Sequence, residues 1–384
     1  MKIETRAVHA GRHIDPATGA VTMPIHLSTT FERSPAGEYP LGFSYSREDN
    51  PNRRALEECL ASLESGKAAL CFSSGLAVAT ALVQGLEPGD HIIAPDDVYW
   101  GLRKVIGEVF GKWGLETTYA DMTDIDDFHA ALRPNTRLVW VETPSNPLLK
   151  VTDLRGSAEI ARRHGIITLV DNTFMTPYLQ RPLELGCDIV LHSGTKFLNG
   201  HSDVICGLAV VNDAELGQRI RFIQNGFGAI LSPQDSFLTL RGMKTLKIRM
   251  DQSQRSTIAI VEWLGKQKKV RKVHYPGLPE HHGHAVHQAQ ADGPGAVFSF
   301  ELDNFETTKR LLEGSKLSAF AVSLGGVESI ISYPARMSHA AVPREERERK
   351  GITDTLVRLS VGLEDPDDLI AEMDRLINGS RISA

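Results

Sequence analysis

The amino-acid sequence of 384 residues predicts an α/β fold with a mostly parallel central sheet and a smaller C-terminal α+β domain. In the middle of the chain, short apolar runs alternate with segments of helix length. Strands that are buried on both faces and separated by helices form parallel sheets. After about Ser236 the pattern changes to long charged helices with fewer strands, which indicates a second, smaller domain.

The predicted strands of the large sheet are six short runs, often β-branched and mostly bounded by Gly, Pro, Asp or Asn. They span residues 70–72, 91–94, 138–141, 167–170, 189–191 and 208–211. Helices are predicted between them, for example over residues 100–113 and 157–164. In the C-terminal part, helices are predicted over residues 244–266, 304–313 and 367–377, and strands over residues 296–302 and 356–361.

The N-terminal segment does not show this alternation. Prolines and glycines recur between residues 16 and 42 and interrupt any regular element. We therefore predict an extended arm over residues 1–48, a large α/β domain over residues 49–235 and a smaller C-terminal domain over residues 236–384.

Composition and charge exclude several classes of protein. Hydrophobic residues make up 41% of the chain and charged residues 23%, which is enough apolar material for a large core and excludes a disordered chain. The net charge of −6 gives no overall attraction to nucleic acid. Residues 68–86 carry no charge, but the Ser73-Ser74-Gly75 step interrupts them, so we predict a buried strand, a loop and a buried helix rather than a membrane span.

The cysteines and the N-terminus predict a cytoplasmic protein. Cys59, Cys71, Cys187 and Cys206 stand far apart with no C-x-x-C pair, which favours free thiols in a reducing compartment. Residues 1–10 are polar and lack the apolar stretch of a signal peptide. No metal site is predicted, because the histidines between residues 281 and 287 match no familiar zinc spacing and are expected to be exposed in a polar loop.

Polar residues follow the predicted strands, at the edge where open α/β sheets bind ligands. A helix N-terminus with a glycine and nearby hydroxyls suits a phosphate group, and Gly75 with Ser73, Ser193 and Thr195 would supply it. No P-loop and no G-x-G-x-x-G motif after a strand is present, so a nucleotide is disfavoured. A phosphate site beside a lysine that can form an imine and a carboxylate that can keep a ring nitrogen protonated predicts pyridoxal 5′-phosphate as the cofactor.

Motifs along the chain resemble the Cys/Met metabolism family of pyridoxal-phosphate enzymes, in that family's order and spacing, over about residues 8–377. They are Tyr45-Ser46-Arg47 with Asn50-Pro51, Ser74-Gly75, Asp97-x-Tyr99, the segments 142–147, 170–174, 192–203 and 323–329, and Arg358-Leu359-Ser360-Val361-Gly362. The family includes cystathionine β-lyase, cystathionine γ-lyase, cystathionine γ-synthase and methionine γ-lyase. The resemblance implies the fold of the type I pyridoxal-phosphate transferases, which is similar to that of aspartate aminotransferase.

The resemblance also implies a role for each matched residue. Lys196 would carry the cofactor and move protons, and Tyr99 would stack on the cofactor ring; these two are the expected catalytic residues. Asp171 would pair with the ring nitrogen. Further residues are expected to hold the cofactor phosphate: Gly75, Leu76, Ser193 and Thr195, together with Tyr45 and Arg47 from a neighbouring subunit.

The substrate-binding residues implied by the resemblance are Arg358, Asn146, Ser323 and Tyr45. Arg358 would bind the substrate α-carboxylate, because a guanidinium group matches a carboxylate with two hydrogen bonds. Asn146 would lie near the cofactor or that carboxylate, and Ser323 near Lys196. If Tyr45 and Arg47 act in the neighbouring subunit, the protein is a dimer, and in this family usually a tetramer of two dimers.

The implied reaction is cleavage of a C–S bond in L-cystathionine or a related sulfur amino acid, by β-elimination to homocysteine, pyruvate and ammonia. A close alternative is γ-elimination or γ-replacement, with cystathionine or an O-acylhomoserine as substrate. A third alternative, from a different class of protein, is a non-catalytic binding module with the same fold. The presence of the three key residues argues against this alternative: Lys196, Asp171 and Arg358.

Several positions depart from the family's commoner pattern. Leu76 replaces a usual Met, and Trp100 and Leu102 replace smaller residues next to Tyr99. The thiol that methionine γ-lyases commonly carry beside that tyrosine is absent, which disfavours this activity. Ser332 stands where typical γ-lyases have Glu, and a serine there resembles β-lyases and bacterial γ-synthases.

Overall fold

A computed structural model of the protein describes residues 1–379. In chain order, its helices are α1 (Ile3–His9), α2 (Pro51–Leu63), α3 (Gly75–Val83), α4 (Trp100–Lys104), α5 (Ile125–Ala130), α6 (Leu154–Arg163), α7 (Thr176–Leu179), α8 (Ala214–Phe227), α9 (Pro233–Met243), α10 (Leu246–Leu264), α11 (His284–Gln290), α12 (Phe305–Gly314), α13 (Arg344–Arg349) and α14 (Pro366–Asn378). Helix α4 continues as a π-helical turn (Val105–Val109) and a 3₁₀ turn (Phe110–Trp113), and two further 3₁₀ turns span Pro182–Leu185 and Pro334–Arg336.

The strands form two sheets. They are β1 (Ala68–Phe72), β2 (His91–Pro95), β3 (Glu116–Ala120), β4 (Thr136–Glu142), β5 (Ile167–Asp171), β6 (Ile189–Ser193), β7 (Gly207–Val211), β8 (Val270–His274), β9 (Val297–Leu302), β10 (Ala319–Phe320), β11 (Ile330–Ser332) and β12 (Leu356–Ser360). The larger sheet has the order β1-β7-β6-β5-β4-β2-β3, and only β7 runs antiparallel to its neighbours. The predicted mostly parallel sheet is therefore confirmed.

Helices cover both faces of the larger sheet. Helices α3 and α4 pack on one face, where Leu70, Phe72 and Trp140 are buried against them. Helices α2 and α9 pack on the other face beside β1 and β7, and α6 packs there beside β4 and β5. Because both faces are covered, the strands carry continuous apolar runs rather than an alternating pattern.

The smaller sheet contains strands of the C-terminal part in the order β10-β11-β12-β9-β8. Its core joins Phe298 and Phe300 of β9 to apolar residues of α10, α12 and α14. The predicted boundary at residue 236 falls inside α9, whose Leu240 and Met243 pack into the core of the larger sheet. Helix α10 contributes to both cores, since Leu246 and Met250 join the first and its C-terminal half joins the second.

The N-terminal segment differs in one respect from the predicted arm. Residues 3–9 form α1, which lies against α2 and buries Ala7. The prolines and glycines that prevent a helix begin only later in the chain, so nothing in the first nine residues opposes one. Between α1 and α2 the chain has only turns and an isolated β-bridge that pairs Thr30 with Tyr45.

His284 and His287 are also placed differently from the prediction, whereas His282 is exposed in the loop as expected. His287 lies on α11 and is 2% exposed, and its Nε2 is 2.9 Å from the carbonyl of Gly293. His284 Nδ1 is 2.7 Å from the carbonyl of Pro276. These side chains therefore stabilise a local fold instead of lying free in a loop, and within residues 1–379 no cluster of three or more His, Cys, Asp or Glu could hold a metal ion. None of the described helices is long and apolar enough to cross a membrane.

Candidate active site

A cavity of about 580 Å³ lies at the carboxyl ends of β4, β5 and β6, beside the start of α3. The larger sheet supplies most of its wall, and the C-terminal part of the chain closes it with Ser323, Ser332 and Arg358. Ten of the twelve site residues implied by the family resemblance line this cavity: Gly75, Leu76, Tyr99, Asn146, Asp171, Ser193, Thr195, Lys196, Ser323 and Arg358. Ser73, which was also expected at the phosphate, is not part of the lining, whereas its neighbour Ser74 is.

Lys196 provides a partly buried amine inside the cavity. Its Nζ donates a hydrogen bond of 2.5 Å to the hydroxyl of Ser323. Burial and, as a smaller effect, the positive charge of Arg358 lower the pKa of Lys196 to about 8, and Asp171 opposes both effects. An amine with this pKa is a nucleophile and a proton carrier near neutral pH.

Ser323 has a backbone conformation that few side chains adopt. Its φ of 90° lies in the left-handed region, where a residue with a Cβ is strained. Two hydrogen bonds stabilise this conformation. The carbonyl of Ser323 accepts one of 2.6 Å from Arg358, and the hydroxyl of Ser323 accepts one from the amine of Lys196. Ser323 therefore joins the amine to the guanidinium group.

Asp171 ends β5, and its side chain faces the cavity. Its Oδ1 accepts a hydrogen bond of 3.0 Å from the backbone N–H of Thr173. Burial raises the pKa of Asp171, and the hydrogen bonds from Thr173 and the charge of Lys196 oppose that rise. A carboxylate in this environment can bind a protonated nitrogen of a ligand. That contact would replace the water molecules that the carboxylate loses on burial.

Gly75 is the first residue of α3, and the side chain of Ser74 caps this helix by accepting a hydrogen bond of 3.1 Å from the N–H of Ala77. The backbone N–H groups at this end of the helix and the helix dipole favour an anion. A Cβ added to Gly75 would lie 3.4 Å from Cβ of Ser193, an ordinary contact distance, so the start of α3 and the end of β6 lie side by side. Leu76 lies beside Gly75 on the cavity wall.

Thr195 also lines the cavity, but its hydroxyl has partners within the protein. It donates a hydrogen bond of 3.2 Å to the carbonyl of Cys206 and accepts one of 3.0 Å from the N–H of the same residue. Ser193 is fixed by its backbone, since its N–H donates to the hydroxyl of Thr173 at 2.8 Å. Of the two, the hydroxyl of Ser193 is the better anion donor.

Arg358 forms the second charged group of the cavity wall. Its guanidinium donates hydrogen bonds of 2.7 Å to Oδ1 of Asn146, 2.6 Å to the carbonyl of Ser323 and 3.2 Å to the hydroxyl of Ser332. Its buried Nε has no hydrogen-bond partner among the described residues. Burial lowers the pKa of Arg358 to about 10, and Glu142 opposes the decrease. A buried cation with an unused donor is suited to a carboxylate ligand.

Tyr99 follows β2 and forms an aromatic wall. Its ring packs over Gly101, where an added Cβ would lie 2.5 Å from a ring carbon. Trp100 lines the cavity beside it and lies under Nζ of Lys104, which is 5.9 Å from the indole ring. Leu102 also lines the cavity, although most of its side chain is buried in the core with α3, so both bulky replacements reach the cavity wall.

Tyr45 and Arg47 lie outside the cavity lining of their own chain. Arg47 donates a hydrogen bond of 2.8 Å to the carbonyl of Asn225 at the end of α8, and the guanidinium lies 5.5 Å from the centre of the Tyr45 ring. Both side chains are exposed. The structure of one chain thus brings ten predicted residues together and leaves these two apart.

Among the cavity residues that were given no role from the sequence, Glu142 and Trp140 carry polar groups at the end of β4. Glu142 ends β4 and pairs in register with Asp171 on β5, so both carboxylates face the same way. Trp140 precedes it by two residues on the same face, and its buried Nε1 has no partner among the described residues. The sequence did contain a signal for this pair. Trp140 and Glu142 are two residues apart at the end of a predicted strand, and such residues lie on the same face of a strand.

The sequence and the structure were compared with known proteins. A sequence model of the family described as "Cys/Met metabolism PLP-dependent enzyme" matches residues 4–378. Cystathionine β-lyase of Bacillus subtilis is 49% identical over 96% of this chain and 94% of its own length. Cystathionine γ-synthase of Mycobacterium leprae is 46% identical over 98% and 97%. The crystal structure of cystathionine γ-lyase from Lactobacillus plantarum in complex with L-serine superimposes with a TM-score of 0.95 at 42% identity, over 98% of this chain and 99% of that one.

Proposed function

The chain belongs to the Cys/Met metabolism family of pyridoxal-phosphate enzymes, and from this premise we propose that it cleaves L-cystathionine by β-elimination, as a cystathionine β-lyase does. The family, the type I fold, the cofactor and the C–S lyase or synthase class that the sequence predicted are confirmed. The relatives include β-lyases, γ-lyases and a γ-synthase at similar identity, so the choice among these reactions rests on the site.

The residues of the cavity fit the cofactor. The anion site at the start of α3 suits a phosphate, and Lys196 presents an amine with a pKa of about 8. Asp171 places a buried carboxylate on the same wall for the ring nitrogen. When bound, pyridoxal phosphate supplies an electron sink for a carbanion at Cα of an amino acid.

The other groups act on the substrate. Arg358, with its unused Nε donor, would bind the α-carboxylate and orient the amino acid in the cavity. Lys196 would remove the proton from Cα, and the hydroxyl of Ser323 would position its amine. Loss of the thiolate from Cβ would then release homocysteine, and the remainder would hydrolyse to pyruvate and ammonia.

Ser332 is the observation that favours β-elimination over γ-elimination; a serine there is shared by β-lyases and bacterial γ-synthases, so γ-replacement is left to the product test. The hydroxyl of Ser332 lies 3.2 Å from the guanidinium of Arg358 and donates a hydrogen bond of 2.8 Å to the carbonyl of Ala321. This neighbour of Arg358 is a neutral hydroxyl, which does not compete with the substrate carboxylate for the guanidinium charge. A glutamate at this position, as in typical γ-lyases, would place a second carboxylate there.

The γ reactions form the second candidate. They use the same residues and need one additional proton removal, at Cβ, which the amine of Lys196 could also perform. The γ-lyase and γ-synthase relatives support this candidate.

Product analysis separates the two candidates. The purified enzyme with L-cystathionine is expected to give homocysteine and pyruvate, whereas γ-cleavage gives cysteine and 2-oxobutyrate. Incubation with O-succinylhomoserine and cysteine tests γ-replacement, which would form cystathionine. The Lys196→Ala variant is the control and should lose about 10²- to 10⁴-fold in rate or more. Appearance of 2-oxobutyrate or cystathionine as the main product would refute the β-lyase proposal.

The proposal also covers the oligomeric state of the protein and its location in the cell. We keep the prediction of a homodimer or homotetramer in which Tyr45 and Arg47 reach the cofactor phosphate of a neighbouring subunit. A cytoplasmic location agrees with the cysteines, all four of which are free and buried.

A further inference from the structure

Glu142 has both carboxylate oxygens engaged with backbone groups at the edge of the cavity. Its Oε2 accepts a hydrogen bond of 3.0 Å from the N–H of Tyr99, and its Oε1 accepts one of 3.1 Å from the N–H of Asn146. Tyr99 follows β2 and Asn146 follows β4, so one side chain connects the segments at the ends of two neighbouring strands.

The connection extends to the carboxylate-binding group of the cavity. Asn146, fixed by Glu142 through its backbone, accepts the hydrogen bond of 2.7 Å from Arg358 with its side chain. A continuous chain of contacts therefore runs from Tyr99 through Glu142 and Asn146 to Arg358. The two ends of this chain are the aromatic wall and the guanidinium group.

We propose that Glu142 is a positioning residue, which fixes the aromatic wall at Tyr99 and the carboxylate-binding pair of Asn146 and Arg358 relative to each other. The inference rests on the function proposed above for Tyr99 and Arg358. It adds that their alignment depends on one carboxylate that accepts two N–H groups at once.

The environment of Glu142 argues against a purely structural purpose. The side chain is 7% exposed, and burial together with the neighbouring Asp171 raises its pKa well above the usual range. A second buried carboxylate beside Asp171 is unfavourable for folding, and the two N–H groups and the charge of Arg358 only partly offset this cost. A second link between the same segments, from the hydroxyl of Ser145 to Asp97 at 2.5 Å, lies outside the cavity lining.

The Glu142→Gln variant tests the proposal. Glutamine keeps the shape of the side chain but has one acceptor oxygen, so one of the two N–H groups loses its partner. We expect the KM for L-cystathionine to rise about tenfold, the effect of leaving one buried N–H group without a partner. We also expect the visible circular dichroism of the bound cofactor to change and the Kd for pyridoxal phosphate of the apoprotein to rise, because Tyr99 is no longer fixed.

Glu301→Gln is the matched control. Glu301 lies on β9 in the smaller domain, outside the cavity lining, and its carboxylate is 3.0 Å from Nε2 of His274. This variant should keep the KM, the dichroism and the Kd of the wild-type enzyme. Equal changes in both variants would mean that any loss of a carboxylate has this effect, and the proposal would be wrong.

Arg358→Lys separates the inference from the proposed function. If Arg358→Lys leaves the KM unchanged, the proposed carboxylate site is wrong and the inference fails with it. If Arg358→Lys raises the KM but a folded Glu142→Gln variant behaves as the wild type, only the inference is overturned. If the Glu142→Gln variant does not fold, the Glu142→Asp variant replaces it in the test. Aspartate keeps the carboxyl group but is one methylene shorter, and this variant must show the same changes in KM, dichroism and Kd. If neither variant folds, Glu142 is required for folding and the proposal is refuted.

Discussion

The amine of Lys196 differs from that of a surface lysine because its surroundings disfavour the charged form. Burial and the neighbouring Arg358 lower its pKa to about 8, whereas Asp251 raises the pKa of the partly exposed Lys247 above its usual value of 10.5. Only the neutral amine reacts with an acylating reagent. The two lysines should therefore differ in reactivity over the alkaline range.

We predict that in the apoprotein the acetylation rate of Lys196 reaches half its maximum near pH 8 and then levels off. The rate of Lys247 should still rise above pH 10. Limited acetylation over a pH series, followed by peptide mass spectrometry, measures both rates in one sample. If Lys196 follows the same profile as Lys247, the low pKa of the cavity lysine is wrong, and its proposed role as a proton carrier near neutral pH would lose its basis.

At the level of the element, the sequence indicated the strands that are buried on both faces. All six predicted strands of the larger sheet are present, because each is a short apolar run with a turn residue near its end. Strand β3 was missed because it contains two threonines and a glutamate and lies at one edge of the sheet, where its side chains are partly exposed. Strands β10 and β11 have only two and three residues, which is too short for a recognisable sequence pattern. They are strands only because they pair with neighbouring strands in the folded protein.

The candidate site shows the same division between local pattern and tertiary contact. Lys196, Asp171 and Gly75 could be predicted because each follows or begins an element whose end faces the cavity. Glu142 was given no role, since its function depends on backbone N–H groups of Tyr99 and Asn146, and any residue type offers such a group. Tyr99 and Glu142 are 43 residues apart in the sequence, so the residues next to Glu142 in the sequence do not reveal this hydrogen bond.

The close approach of β7 to the start of α3 gives a prediction at this scale. A Cβ added to Gly207 would lie 2.0 Å from the carbonyl oxygen of Ser74, which caps α3. Gly207→Ala should therefore displace the anion site, lower the free energy of unfolding by about 1–3 kcal/mol and raise the Kd for pyridoxal phosphate. Urea unfolding and cofactor titration measure the two effects.

Gly226→Ala is the control for this substitution. Gly226 lies in α8, and a Cβ added there would meet no atom within 4 Å. An alanine in the helix should leave the Kd unchanged and stabilise the protein by about 0.5–1 kcal/mol. A Gly207→Ala variant that is as stable as the wild type and binds the cofactor equally well would contradict the proposed role of this contact.

For the whole molecule, the exposed apolar residues of the N-terminal segment and α8 suggest a surface that is covered in solution. Leu27, Leu41, Phe222 and Phe227 are between 68% and 84% exposed in the single chain. Arg47 connects the two regions through its hydrogen bond to Asn225. Large exposed apolar side chains are typical of subunit interfaces. This surface supports the proposed dimer, in which the arm reaches a neighbouring cavity.

The proposed sharing of the site can be tested by mixing two inactive variants. Arg47→Ala removes the arm residue and Lys196→Ala removes the cavity amine, so each homodimer lacks one group in both of its sites. In a hybrid dimer, the arm of the Lys196→Ala chain would complete the cavity of the Arg47→Ala chain. Unfolding, mixing in equal amounts and refolding should restore about a quarter of the wild-type activity, because half of randomly formed dimers are hybrid and each has one intact site. If Arg47 acted within its own chain, every site would lack one group and the mixture would be no more active than the variants alone.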